Sequence, residues 1–251
     1  MKKIQEGYQN EFYFVLEFNN KKVFDLNPML YQVIESLFMN VKESSIIKSW
    51  RNHNPRVKGD IFIKIGKDIK TISIKKGSRN SVHLERIDTF TSFLRKQGIR
   101  KEIIDSYIRF HYGIDSSNSI VILSAKEYKE KYRDDIIKLN QCLSKVNIDE
   151  VVNRFILQGR LSHQSIDGII YGVPNDFLWI TQNDILMIIR NSIHLQSSGV
   201  HIGCLFIQPQ SRCLNENVSY NKCRDYVQIK WYSLFDDILL YKAGILKNDT
   251  T

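Results

Sequence analysis

The chain has 251 residues, 43% of them hydrophobic and 25% charged, with a formal net charge of +9. Such a chain can bury a sizeable core. No apolar run is long enough to span a bilayer, and four cysteines do not make a disulfide scaffold in a chain this long. The opening MKKIQEGYQNEF lacks the apolar stretch of a secretory leader, so a cytoplasmic setting without a membrane partner is expected. The charge is also local. Residues 42–101 hold sixteen Lys/Arg against five Asp/Glu, a net of +11 that leaves −2 for the remainder. An excess of this kind favours an anionic partner such as nucleic acid; the alternative is a solvated basic surface.

In chain order, EFYFVLEFNNKKVFD (residues 11–25) predicts a hairpin turning at Asn19-Asn20. Asn27 as N-cap and Pro28 at the first helical position open a helix. Its apolar face is Leu30, Val33, Ile34, Leu37, Phe38 and Val41, at helical spacing. SIIKSW is a strand, followed by a polar corner around Pro55. Two further strands lie within VKGDIFIKIGKDIKTISIKKGSRNSVHLE (57–85), with a helix from about Ser81 to Gln97. Residues 101–160 read as mainly helical, and the capping box Ser124 with Glu127 starts a helix running toward Lys145. Short strands follow at GIIYG and FLWI, then a helix after Thr181, then the strands HIGCLFIQ and DYVQIKWY. No repeat or long linker appears, so a single domain over 1–251 is expected.

Alternation on the 57–85 strands carries the chemistry. Ile61, Ile63 and Ile65 share one face, leaving Asp60, Phe62 and Lys64 on the other; Ile72 and Ile74 leave Thr71, Ser73 and Lys75 opposite. A two-residue loop at Gly66-Lys67 sets Asp60 across from Ser73, and one at Lys67-Asp68 sets it across from Lys75. Either register brings Asp60 and Lys75 together. The pair reads as a cross-strand ion pair, worth under about 1 kcal/mol if exposed. It reads equally as a Mg²⁺ ligand beside a lysine that positions water for attack on phosphate.

Here the sequence resembles the PD-(D/E)XK nucleases, the restriction-endonuclease-like superfamily. KGD at 58–60 matches the first motif, with Gly59 before the acid, and SIK at 73–75 matches the acid-x-Lys motif. The resemblance covers roughly residues 28–97. It implies an α/β fold: a restriction-endonuclease-like core of a mixed sheet flanked by helices. The core would be 28–97 plus C-terminal strands at about 200–232, with a largely helical insertion at about 100–160. It also implies Mg²⁺-dependent hydrolysis of DNA, double-stranded, leaving a 5′-phosphate and a 3′-hydroxyl. A type II restriction enzyme or phage-defence nuclease would suit such a chain, as a homodimer and with a partner methyltransferase or defence-system protein. Asp60 and the Ile74 carbonyl would hold the metal, and Lys75 would orient the attacking water.

The departure from the pattern is Ser73, where the family has an acid. A subgroup with S-x-K takes its acid from the following helix, which makes Glu85 the replacement and leaves Ser73 a bystander or hydrogen-bond partner. A chain without that acid would be a nucleic-acid-binding protein that has lost catalysis. Lys76, Arg79 and Asn80, where strand gives way to helix, are expected at the phosphate backbone. Arg212, Lys222 and Arg224, in the polar connection 209–225, are expected to contact bases. His201, Cys204, Cys213 and Cys223 lack the paired spacing of zinc knuckles, and QIK at 228–230 reads as plain strand.

Overall fold

The computed structural model describes residues 2–78, 80–118, 122–158, 164–192, 199–209 and 223–246. Arg79, Arg212, Lys222 and Cys213 lie outside the described residues. The chain forms a mixed α/β fold whose contacts divide it into two compact units. One holds Met1–Asn80, Val152–Asn191 and Leu234–Thr251; the other holds Ser81–Val151 and Ser192–Ser233.

In the first unit the helix α1 (Lys2–Phe18) leads through a turn to α2 (Pro28–Leu37), and then to strands β1 (Ile47–Arg51), β2 (Ile61–Ile65) and β3 (Asp68–Lys75). Two later strands, β5 (Gly168–Val173) and β6 (Asp176–Thr181), complete a sheet in the order β1-β2-β3-β5-β6. The β3–β5 pair is parallel and the other pairs are antiparallel, so the expected mixed sheet is present. The isoleucines do what their alternation requires. Ile47, Ile61, Ile63, Ile65, Ile72 and Ile74 are buried in one cluster with Phe14 and Phe18 of α1 and Leu30, Val33 and Ile34 of α2. The α2 start is as predicted, with Asn27 Oδ1 accepting from the Leu30 N–H at 2.9 Å. The helices α8 (Gln182–Asn191) and α9 (Leu234–Lys242) pack against β5 and β6, so helices flank the sheet as expected.

The predicted hairpin at 11–25 is instead the end of α1. Asn10, Phe14, Val15 and Phe18 are buried on one side, while Tyr8, Phe12, Tyr13 and Leu16 are large, apolar and exposed. A helix apolar on several sides loses its 3.6-residue signature, and its aromatic residues mimic a strand. The Asn19-Asn20 turn is nevertheless where the element stops, with Asn20 in the left-handed region at φ 59°. Asn19 also turns inward and accepts from the Ser49 N–H at 3.0 Å.

The second unit contains β4 (Asn80–Arg86), α3 (Ile87–Lys96), α4 (Lys101–Tyr112), α5 (Ala125–Lys131), α6 (Arg133–Leu143) and α7 (Ile148–Val152). It also contains β7 (Val200–Ile202), β8 (Leu205–Pro209) and β9 (Tyr226–Trp231), in a sheet ordered β4-β9-β8-β7. Three expectations are corrected here. The helix placed at 81–97 is strand to Arg86 and helix only from Ile87. Val82 is buried in the strand, and Ser81 Oγ accepts from Gln228 Nε2 of β9 at 2.9 Å instead of capping a helix. HIGCLFIQ is two strands, broken at Gly203, which has φ 57°. The helix expected to run from Ser124 toward Lys145 is two, divided at Tyr132; its capping box forms as predicted, Glu127 N–H donating to Ser124 Oγ and Ser124 N–H to Glu127 Oε2.

Within the first unit, Gly59 is forced by the fold. Its φ is +102°, and an added Cβ would collide with Cγ2 of Thr71 and press on Cγ2 of Ile166. This explains a glycine immediately before Asp60: the chain passes too close to β3 for a side chain. Gly59→Ala is expected to cost about 2 kcal/mol or more, read as a fall in the urea midpoint. Gly66 has φ +59° but open space around it, so Gly66→Ala should cost only about 1 kcal/mol. Equal losses at both sites would remove the close-approach explanation.

Candidate active site

The β2–β3 hairpin pairs Ile65 with Asp68 and Ile61 with Ile72, so Gly66-Lys67 is the loop. Of the two registers that hydrophobic patterning allows, this one puts Asp60 across from Ser73. The Asp60 backbone N–H donates to the Ile72 carbonyl at 2.8 Å, and its carbonyl accepts from the Asn52 N–H at 2.8 Å. Asn52 also donates through Nδ2 to the carbonyls of Val57 and Gly59, both at 2.9 Å, clamping the approach to Asp60. Asp60 is thus held by strands on both sides.

Three donors converge on one oxygen of that carboxylate. Asp60 Oδ2 accepts from Ser73 Oγ at 2.9 Å, from the Ile74 N–H at 2.6 Å and from Lys75 Nζ at 3.4 Å. Lys75 Nζ also lies 3.4 Å from the Ile74 carbonyl oxygen. Ser73 is therefore a hydrogen-bond partner that fixes the Asp60 side chain. Among the described residues, Asp60 Oδ1 accepts no hydrogen bond.

A second carboxylate stands here that strand-like patterning conceals, because it belongs to the 11–25 segment whose pattern predicts a hairpin. Glu11 of α1 accepts through Oε2 from Nε and Nη2 of Arg51, at 3.1 and 3.0 Å. Arg51 sits on β1 directly opposite Ile61, next in the chain to Asp60. Burial pushes the Glu11 carboxyl above its ordinary value, and the Asp60 charge pushes it further. The Arg51 hydrogen bond and the charges of Arg51 and Lys75 pull the other way. Two carboxylates that sense each other, each with its own cation, therefore stand at one end of the sheet. Only a helical reading of residues 2–18 would have placed Glu11 one turn before the buried Phe14 and Val15.

A hard divalent cation takes carboxylate and carbonyl ligands and keeps several waters. Asp60 Oδ1, the Glu11 carboxylate and the Ile74 carbonyl are the available donors. Among the described residues, no three of His, Cys, Asp or Glu gather into a metal-holding cluster. Cys204 is buried in the β7–β8 turn and Cys223 is exposed.

The remaining predicted residues are divided between the two units. Glu85 is buried on β4 of the second unit, its Oε2 3.4 Å from His83 Nε2. Lys76 is exposed after β3, and Asn80 is buried, its Nδ2 donating to the Gly77 carbonyl at 2.9 Å. Arg224 is exposed, and its backbone is well anchored within the second unit. Its carbonyl accepts from His111 Nε2 at 2.8 Å; at Asp225, the carboxylate accepts from Tyr112 OH at 2.9 Å and the carbonyl from the Ile87 N–H at 2.7 Å.

No family model matches this chain, and no curated protein matches it. Among solved structures it is similar to the restriction endonuclease MspI in complex with its cognate DNA. The identity is 12% and the TM-score 0.46, over 91% of this chain and 88% of that one. No helix among the described residues is long and apolar enough to cross a membrane.

The raised Glu11 carboxyl has a pH signature. A carboxyl raised by folding lends stability that is complete below the ordinary carboxylate range and is lost as pH rises through the raised value. Urea midpoints of wild type should therefore fall, relative to Glu11→Gln, as pH rises above the ordinary carboxylate range. Parallel pH profiles for the two proteins would show that Glu11 is not perturbed.

Proposed function

We propose that the Asp60 cluster is the hydrolytic centre of a Mg²⁺-dependent DNA endonuclease with a restriction-endonuclease-like core, of the restriction or phage-defence kind. The observation that carries the reading is the convergence of Ser73, Ile74 and Lys75 on one oxygen of Asp60, beside a second carboxylate from α1. A plain surface ion pair has no need of a buried hydroxyl, a backbone N–H and a glycine-only approach to fix one acid.

In this reading Asp60, Glu11 and the Ile74 carbonyl hold Mg²⁺. Held there, such an ion would supply neutralisation of charge developing on the phosphate and a lowered pKa for coordinated water. Lys75, within reach of both the Asp60 carboxylate and the Ile74 carbonyl, orients the attacking water and lends its charge to the phosphate. Ser73 keeps Asp60 in the rotamer that leaves Oδ1 available. The acid missing at Ser73 is supplied by Glu11, which belongs to the same compact unit as Asp60 and feels its charge. Glu85 is the competing source. Lys76 and the other basic residues of 42–101 bind the backbone of double-stranded DNA, while Arg224, with Arg212 and Lys222 outside the described residues, contacts bases. A homodimer and a partner methyltransferase or defence-system protein belong to the same reading. Ser73 taken alone favours the second reading, a nucleic-acid-binding protein without catalysis.

Supercoiled plasmid incubated with Mg²⁺ separates these readings. Nicking should vanish in EDTA and fall by roughly 100-fold or more in Lys75→Ala and in Asp60→Asn. Glu11→Gln should be similarly impaired while Glu85→Gln retains activity. Loss with Glu85→Gln and none with Glu11→Gln would return the second acid to Glu85. Salt-sensitive binding without nicking on several DNAs would favour the binder.

A further inference from the structure

We infer that the open face of β1 and β2 is a docking surface for an unpaired nucleic-acid strand, with Trp50 as its stacking platform. This deepens the nuclease reading by naming the state of the substrate strand, but its binding test requires no hydrolysis.

Trp50 and Phe62 face each other across β1 and β2, and their rings stack with centroids 5.5 Å apart at an interplanar angle of 27°. Phe62 is half-buried beneath the stack, while Trp50 keeps 38% of its surface exposed. Two pairs further along the same strands, and so on the same face, Lys48 lies directly opposite Lys64. Among the described residues, neither ammonium makes a hydrogen bond or ion pair. Like charges directly opposite on adjacent strands are unfavourable in a folded chain. Lysine on an exposed edge strand can guard against aggregation, which accounts for Lys48 on β1. It does not account for Lys64, because β2 is paired on both sides.

The order along β2 gives the surface its direction. Phe62 and Lys64 project on the same face, ~6.8 Å apart at a two-residue step, and Asp60 immediately precedes the strand. The aromatic stack and the pair of unneutralised cations thus lie in a row on one face, and the chain leads into that row from the candidate hydrolytic acid. An unpaired strand offers what this row lacks: phosphates for Lys48 and Lys64, and a base whose open face can lie on Trp50. A base inside a duplex presents no such face. An acidic protein segment would satisfy the lysines but would leave the stacking surface without a specific partner.

Fluorescence anisotropy in EDTA tests the assignment with labelled single strands of about twelve nucleotides, oligo-dT and oligo-rU in separate arms, and a duplex of the same length. Trp50→Ala is expected to weaken single-strand binding about 5- to 100-fold and to leave duplex binding nearly unchanged. Lys48→Gln with Lys64→Gln should flatten the slope of log affinity against log salt by about 1.4. Trp50→Phe should retain most of the affinity and lose the fluorescence quenching that wild type shows on binding, which guards against an Ala variant that fails to fold. A preference for dT or rU identifies the strand as DNA or RNA. Single-strand affinity unchanged in Trp50→Ala overturns the proposal, as does an equal loss for strand and duplex. Trp50-dependent binding of a poly-glutamate peptide without binding of either strand overturns it in favour of a protein partner. Trp50-dependent binding by a protein that never nicks DNA upholds the surface and removes the nuclease reading alone.

Discussion

One carboxylate oxygen organises the centre of this protein. Asp60 Oδ2 receives a hydroxyl, a backbone N–H and an ammonium, all from three consecutive residues of β3. Charge-assisted hydrogen bonds are about twice as strong as neutral ones, and the half-buried setting keeps water from replacing them. The arrangement works only if β2 and β3 keep their register, and only if the chain enters Asp60 through a residue without a side chain. The buried isoleucines supply the first condition and Gly59 supplies the second. A one-residue slip would turn Asp60 onto the apolar face and bury its charge among isoleucines.

A second consequence is charge balance. Each carboxylate at this sheet end already has an internal cation, Lys75 for Asp60 and Arg51 for Glu11. Each carboxylate senses the other's charge, and the two cations offset that repulsion. An incoming divalent cation would then compete with protein charges already in place. Ser73 contributes to the same balance: a third carboxylate at that position would leave an excess negative charge that Lys75 and Arg51 do not cover.

How much of this was legible depended on whether a pattern was local. The Asn27 cap and the Ser124–Glu127 capping box follow from residues within a few positions of one another, and the Asp60–Ser73–Lys75 grouping from a single hairpin whose patterning allowed two registers; all three groupings appear in the structure, with Gly66-Lys67 as the loop. Glu11 was not legible, because α1 carries apolar residues on several sides and so presents no helical stripe. The strand nature of residues 80–86 was hidden as well. Ser81 is a good helix cap in isolation, and only pairing with a strand more than 140 residues later makes it part of a sheet. Glu85, placed on a helix by its sequence neighbours, instead lies buried in a strand beside His83. In each case a long-range contact overrode a local preference.

Asp60 and Glu11 are proposed to form together an oxygen site for a divalent cation. Direct binding of Mn²⁺, followed by electron paramagnetic resonance in the absence of DNA, tests it without reference to activity. Wild type should bind one ion, Asp60→Asn should bind none, and Glu11→Gln should bind about tenfold more weakly or worse, the scale of one lost charged contact. Mn²⁺ bound by Glu11→Gln as tightly as by wild type would contradict the account.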